Sequence, residues 1–341
     1  MRADRRPAED QSSASPTPPT MRAVVRRRYG GTDAVHLERV PLPSPGERQV
    51  LVRVEAAGVD RGVVHLMTGR PYLMRLVFGL RTPRNPVLGG DLAGTVVAVG
   101  PAVTRFAVGD EVFGFGAGTF AEHAVAEEDK LAPKPAHLSF PEAAVVPVSA
   151  ATALQALDIA RVQPEQRVLV TGAAGGVGSH AVQLAKASGA EVTAVVSTAK
   201  RDMARDLGAD HVVDYTASDF AEQGHTYDVI LDIAGNPGVA RLRRALTPTG
   251  VAVLVGGEEG GSWTGGMDRQ LRGLAVSSVS RQRLRSFVAK QRSSDLERLA
   301  ELLVVGTLVP RVQATYPLER AVEALSLVEA GSVRGKLALT T

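Results

Sequence analysis

The chain has 341 residues, 44% of them hydrophobic and 22% charged, with a formal net charge of +3, 35 glycines and no cysteine. That is the mix of a globular protein long enough for two domains. The missing thiols exclude disulfides, a thiolate nucleophile and any cysteine-ligated zinc; no apolar run approaches the roughly 20 residues of a membrane span, and the small arginine excess makes no basic stripe for nucleic acid.

Met1 to Thr20 is polar, rich in Pro and Ser, and lacks the apolar core of a signal peptide; it reads as a disordered tail. Met21 opens a β-rich stretch that runs to about Pro141. Short apolar segments alternate there with Gly/Pro turns: Val50–Ala56, Gly94–Val99, Glu111–Phe115 and Phe120–Val125. Within it, Tyr72 to Leu80 (YLMRLVFGL) is bulky and apolar. It reads as the wall or lid of a pocket for a hydrophobic substrate, or as a buried core helix; Gly69-Arg70-Pro71 before it favours a loop.

From about Ala143 strands alternate with helices, the pattern of a parallel sheet with crossover helices. Val168–Thr171 is a β-branched strand that meets Gly172-Ala173-Ala174-Gly175-Gly176-Val177-Gly178, and an amphipathic helix follows over Val177–Ser188. Strand, glycine turn and helix in this order are the setting of a dinucleotide fingerprint. Gly175 and Gly178 have its last spacing, while Ala173 stands where its first glycine belongs. The helix N-terminus offers free N–H groups to phosphates. A second strand, Val192–Val196, ends at Ser197-Thr198-Ala199-Lys200-Arg201 with no carboxylate in the slot that would select NAD. A hydroxyl plus cations matches a 2′-phosphate, so the reading is NADP(H), against the alternative that Lys200 and Arg201 are solvated positions in a helix's first turn.

Val229–Asp232, Ala240–Leu246 and Val251–Val255 continue the alternation, and Trp263 stands in a Gly/Ser-rich loop, Gly256–Gly266. It could cover the cleft or join a dimer contact. Arg281, Arg283 and Arg285, with Lys290 and Arg292, read as a solvated helix face, a weaker alternative being RNA binding. A polar helix over Ser293–Val304 and a βαβ-like stretch ending in Lys336–Leu339 complete the chain.

Gly89-Gly90-Asp91-Leu92-Ala93-Gly94, Val108-Gly109-Asp110-Glu111-Val112, Gly118-Thr119-Phe120-Ala121-Glu122, the glycine turn, Gly208 to Tyr215 (GADHVVDY) and Arg334-Gly335-Lys336 stand in an order that resembles the medium-chain dehydrogenase/reductase superfamily, most closely its zinc-independent quinone oxidoreductase branch. The resemblance covers nearly everything after Met21. It implies an α/β chain: a GroES-like β-rich catalytic domain, residues 21–143 and 286–341, with an inserted doubly wound Rossmann domain, residues 144–285, and the active site in the cleft between them. It implies NADPH and a homodimer. It places Thr152 near the nicotinamide end, Gly172, Gly175, Gly176 and Val177 at the pyrophosphate, and Ser197, Lys200 and Tyr215 around the adenosine 2′-phosphate. Ala234 to Asn236 would lie beneath the nicotinamide ribose, with Gly256 also in the cofactor site. Tyr215 is equally an ordinary strand-end aromatic.

Zinc-dependent relatives carry a cysteine in a G-x-C segment and His-Glu in a G-H-E segment; this chain has Gly58-Val59-Asp60 and Gly89-Gly90-Asp91. These positions do not supply the three ligands of a catalytic zinc, and His65 and His123 read as packing or surface residues. Reduction of a conjugated double bond or a quinone asks less of the protein, because developing oxygen charge can be met by hydrogen-bond donors. Asp60 and Tyr72 are the candidate catalytic groups. Asp60 is equally a ribose or turn residue, and Tyr72 equally an apolar wall.

The expected function is a cytoplasmic NADPH reductase of a quinone or an α,β-unsaturated carbonyl. A specialised biosynthetic reductase or alcohol dehydrogenase of the same superfamily, and an NADPH-binding sensor without turnover, are the alternatives. The expected partner is a hydrophobic small molecule; no nucleic acid and no membrane is expected.

Overall fold

The computed structural model describes residues 19–222, 224–235, 237–256, 261, 263, 265, 269–273, 277 and 280–341. Asn236 and all but the last two residues of the N-terminal tail lie outside them, as does part of the loop that follows Gly256.

A hairpin-like pair, β1 (Thr20–Arg26) and β2 (Val35–Pro41), leads into β3 (Gln49–Val59), β4 (Asp91–Val99), β5 (Glu111–Phe115), β6 (His123–Glu127) and β7 (Leu131–Pro133). The chain then builds β8 (Arg167–Thr171), β9 (Glu191–Val196), β10 (His211–Asp214), β11 (Tyr227–Asp232), β12 (Leu246–Leu254) and β13 (Arg283–Ser286). It returns with β14 (Val312–Pro317) and β15 (Lys336–Thr340). The last two strands join the first group in a seven-stranded sheet of order β14-β15-β3-β4-β5-β7, with β6 on β3. β8 to β13 form a separate six-stranded sheet, β10-β9-β8-β11-β12-β13, in which every pairing is parallel. This is the GroES-like sheet with an inserted doubly wound sheet that the sequence implied.

The helix Pro147–Ala160 ties the two sheets together, contacting β4 and β5 on one side and β11 and β12 on the other. Residues on all its faces are buried, including Ala151, Ala153, Leu154, Ala156 and Leu157. One apolar core therefore runs from Phe113 and Phe115 through this helix to Val168, Val170 and Val253.

One sequence reading changes and one open alternative is excluded. Arg283 and Arg285 flank the buried Leu284 on β13, a strand at the sheet edge, so this part of the arginine cluster is not a helix face. Tyr72–Leu80 is not a buried core helix. It is a 3₁₀ turn, Tyr72–Met74, followed by a four-residue helix, Arg75–Phe78, with its apolar side chains in water. Gly79, at a φ of 119°, ends the short helix.

The helix Gly176–Ala187 rests on β8 through Gly178. A Cβ there would stand 2.7 Å from Ala173 Cα and collide with the Gly172 carbonyl. Both neighbours are backbone, so neither can rotate away. Gly178→Ala is expected to cost about 1–3 kcal/mol, read as a lower urea midpoint with unchanged slope.

Candidate functional site

In the six-stranded sheet the chain runs outward from β8 to β9 on one side and continues from β11 on the other. The crevice between the carboxyl ends of β8 and β11 is the switch point at which doubly wound sheets bind ligands. Gly172 ends β8 with a φ of 64°, and a Cβ on it would touch Ala234 N at 3.2 Å. Only a residue without a side chain closes that gap. Gly256 lies tighter still: a Cβ on it would collide with the Ile233 carbonyl. Gly172, Ala234 and Gly256 thus line one trough across the ends of β8, β11 and β12. Gly175, Gly176 and Val177, all half-buried, begin the helix beside it.

A buried network holds this trough from below. Thr171 Oγ1 donates to Asp232 Oδ1 at 2.8 Å and accepts from Ala234 N at 3.2 Å. Arg269 donates to Asp232, to the Pro237 carbonyl at 3.1 Å and to the Gly256 carbonyl at 2.7 Å. Burial raises the Asp232 carboxyl above its ordinary range, against the pull of Arg269. No pattern in the sequence pairs residue 232 with residue 269.

At the other end of the trough, Tyr215 N donates to the Val196 carbonyl at 3.1 Å, setting Tyr215 beside Ser197 where β9 and β10 end. Tyr215 is exposed and Ser197 half-buried. Lys200 reaches the other way: its Nζ donates to the carbonyl of Val333 at 2.8 Å, and burial, then the charge of Arg334, lowers its pKa. Asp214 accepts from Thr198 Oγ1 at 2.6 Å, so a carboxylate from the next strand stands close to the hydroxyl row.

The cleft itself is built around Lys336. β15 pairs antiparallel with β3, Leu337 opposite Val59, which puts Lys336 next to Asp60. Its stem crosses the glycine turn, 2.8 Å from where a Gly176 Cβ would be, with Ser149 Oγ at 3.2 Å. Its ammonium is 97% buried by side chain, stands 3.9 Å from Asp60 Oδ2 and 3.9 Å from Asp91 Oδ2, and makes no hydrogen bond. Asp91 is fully buried and accepts from Val148 N at 3.1 Å; burial lifts its carboxyl well above the usual range although Lys336 pulls it back. Asp60 accepts from Val63 N at 3.1 Å and so caps the helix Arg61–Thr68. Thr152 lies one turn beyond Ser149, its hydroxyl donating to the Val148 carbonyl at 2.6 Å.

His180 Nδ1 is 2.8 Å from the Gly176 carbonyl, and since a carbonyl only accepts, Nδ1 carries the proton. Complete burial lowers the His180 pKa to about 4, and the Lys336 charge pushes the same way. At the mouth of the cleft Tyr72 meets Trp263 edge to face, ring centroids 5.2 Å apart, and the Arg75 guanidinium lies 4.7 Å above the Tyr72 ring.

The arrangement fits a dinucleotide. The trough lies at the switch point, the helix start offers N–H groups that have no partner in their own helix, and a buried cation with no hydrogen-bond partner among the described residues stands beside Gly176. Lys336, Asp91, His180 and Asp232 were absent from the sequence-derived site; Lys336 and Asp91 were visible only as members of motif blocks.

Family models match in two places: an alcohol dehydrogenase GroES-like domain over residues 46–136 and a zinc-binding dehydrogenase over residues 207–339. A chloroplastic quinone oxidoreductase of Triphysaria versicolor is 32% identical over 336 residues, covering 93% of this chain and 97% of its own. A chloroplastic NADPH-dependent alkenal/one oxidoreductase of Arabidopsis thaliana is 31% identical, covering 94% of this chain and 79% of its own. The solved quinone oxidoreductase from Coxiella burnetii superimposes with a TM-score of 0.84 at 27% identity, covering 95% of this chain and 100% of that one.

The buried imidazole makes stability depend on pH. Because the folded pKa of about 4 lies below the ordinary 6.5, its contribution is complete above pH 6.5 and is lost as pH falls toward 4. Urea unfolding of the wild type and of His180→Gln should therefore show a steeper acid decline in the wild type. The difference between the two slopes, integrated over that window, is expected to be on the order of 3 kcal/mol.

Proposed function

The chain belongs to the medium-chain dehydrogenase/reductase superfamily, in its quinone oxidoreductase branch, and we propose that it is an NADPH-dependent, zinc-independent reductase of quinones and α,β-unsaturated carbonyls. The observation that carries this reading is the Lys336 ammonium set between Asp60 and Asp91, where zinc-dependent relatives place metal ligands. A lysine cation there faces the two carboxylates, and neither of the two segments contains an imidazole or a thiol.

Gly172, Gly175, Gly176 and Val177 hold the pyrophosphate, with Lys336 supplying positive charge beneath the turn. Ala234 and Gly256 form the floor at the nicotinamide end, and Thr152 borders it. Ser197 and Tyr215 offer hydroxyl donors to the 2′-phosphate, and Lys200 adds charge from behind. Bound in this trough, the cofactor supplies a hydride. What remains for the chain is to orient the acceptor, keep water out and meet the charge that gathers on the acceptor oxygen. In this reading Tyr72 donates its phenol proton to that oxygen, and Asp60 fixes the cleft wall by capping the helix Arg61–Thr68. The family reading also carries a homodimer in the cytoplasm; β13, the end strand of its sheet among the described residues, offers a free edge for that contact. Among the described residues no helix is long and apolar enough to cross a membrane.

NADPH oxidation followed against a panel of quinones and enones should show turnover on several acceptors, unchanged by a strong zinc chelator. No oxidation with any acceptor, or activity that needs added zinc, would overturn the reading. Ser197→Asp is expected to weaken NADPH at least about tenfold by charge repulsion at the 2′-phosphate while sparing NADH, as measured by calorimetric titration.

A further inference from the structure

From Arg61 to Gly90 the chain carries five arginines and no Asp or Glu. Two of the five are spent inside the fold. Arg61 donates to the carbonyls of Val328 and Glu329, and Arg75 donates to those of Gly69 and Thr68 between the rings of Tyr29 and Tyr72. The other three, Arg70, Arg81 and Arg84, are exposed and make no ion pair among the described residues. Between them Leu76, Val77 and Leu80 are 61%, 63% and 66% exposed, with Leu73 and Phe78 at 42% and 41%.

This protrusion is built, not loose. Tyr29 Oη donates to the Gly79 carbonyl at 2.6 Å, and Arg84 N donates to the Phe78 carbonyl at 2.8 Å. Leu73 N reaches the Trp263 carbonyl at 3.4 Å, so the apolar tip sits at the mouth of the cleft. An exposed apolar segment flanked along the chain by exposed cations marks an interaction surface. Four of the five exposed apolar side chains are aliphatic and cannot stack on bases, which disfavours nucleic acid. A two-fold contact with a second copy would press the unpaired arginines onto one another. Lipid phosphates over acyl chains match both features.

We propose that residues 70–84 form a docking surface for an anionic phospholipid bilayer. Leu76, Val77, Phe78 and Leu80 enter the boundary between headgroups and acyl chains, and Arg70, Arg81 and Arg84 pair with lipid phosphates. Docked this way, the cleft opens toward the layer in which a lipid-soluble quinone dissolves. That consequence rests on the function proposed above; the docking does not.

The test is co-sedimentation of the full chain with phosphatidylglycerol/phosphatidylcholine vesicles and with phosphatidylcholine vesicles, at low and high salt. Binding is expected to the anionic vesicles and to weaken with salt. The pair Leu76→Ser with Phe78→Ser, and separately the pair Arg81→Glu with Arg84→Glu, should each reduce partitioning by about tenfold or more. Circular dichroism melts matching the wild type would establish that both variants fold. The proposal is overturned if the wild type ignores anionic vesicles, if both variants bind as well as the wild type, or if the variants only disperse a dimer in sedimentation velocity with no vesicle binding by any form. NADPH oxidation with a water-soluble enone, measured on the same samples, separates the outcomes: its absence with vesicle binding intact refutes the function and leaves the docking.

Discussion

Lys336 places a positive charge where water cannot reach it, 3.9 Å from each of two carboxylates. An unpaired ammonium in such a place would be strongly destabilising, and a lone buried carboxylate hardly less so. The three groups are tolerable only together, and they come from three places in the chain: the end of β3, the start of β4 and the start of β15. The register of β15 on β3 is therefore fixed by charge as well as by hydrogen bonds. The same strand clamps the glycine turn, since Gly335 N donates to the Ala174 carbonyl at 2.9 Å. The glycine turn of one sheet and the cleft wall of the other consequently share a single anchor.

That sharing explains how one site can span two sheets. The trough at the ends of β8, β11 and β12 is shaped by close backbone approaches at Gly172 and Gly256 and kept rigid by Asp232, Thr171 and Arg269. The facing wall is kept in place by Asp60, which caps its own helix while looking at Lys336. Groups held in this way are preorganised, as electrostatic catalysis requires.

The glycine turn and the strands beside it were legible because their residue types leave few options: β-branched residues, then glycines, then an apolar face at helical spacing. The end of β9 at Ser197 was legible for the same reason, as the place where the β-branched run stops. The helix Pro147–Ala160 was not. It is buried on all sides, so it carries no periodic contrast between wet and dry faces. The Arg281–Arg285 run misled because alternate arginines suit a solvated helix and an exposed strand edge equally, and only pairing with β12 decides between them. The acids and bases of the cleft were hidden for a deeper reason. Lys336 and Asp91 look like ordinary motif residues until the strand register brings them within reach of each other across more than two hundred residues of chain. Asp60, chosen as a lost metal position, proved to be a helix cap whose second oxygen faces a cation.

The chain contains a single tryptophan. Trp263 is 71% exposed, stands on the loop beyond β12 and touches Tyr72 from the opposite sheet. Indole emission from this molecule therefore originates at one point, the gap between its two halves. Any change in the spacing or wetness of that gap alters the colour and intensity of the whole protein's fluorescence, so the molecule carries a native optical gauge of how far it is open.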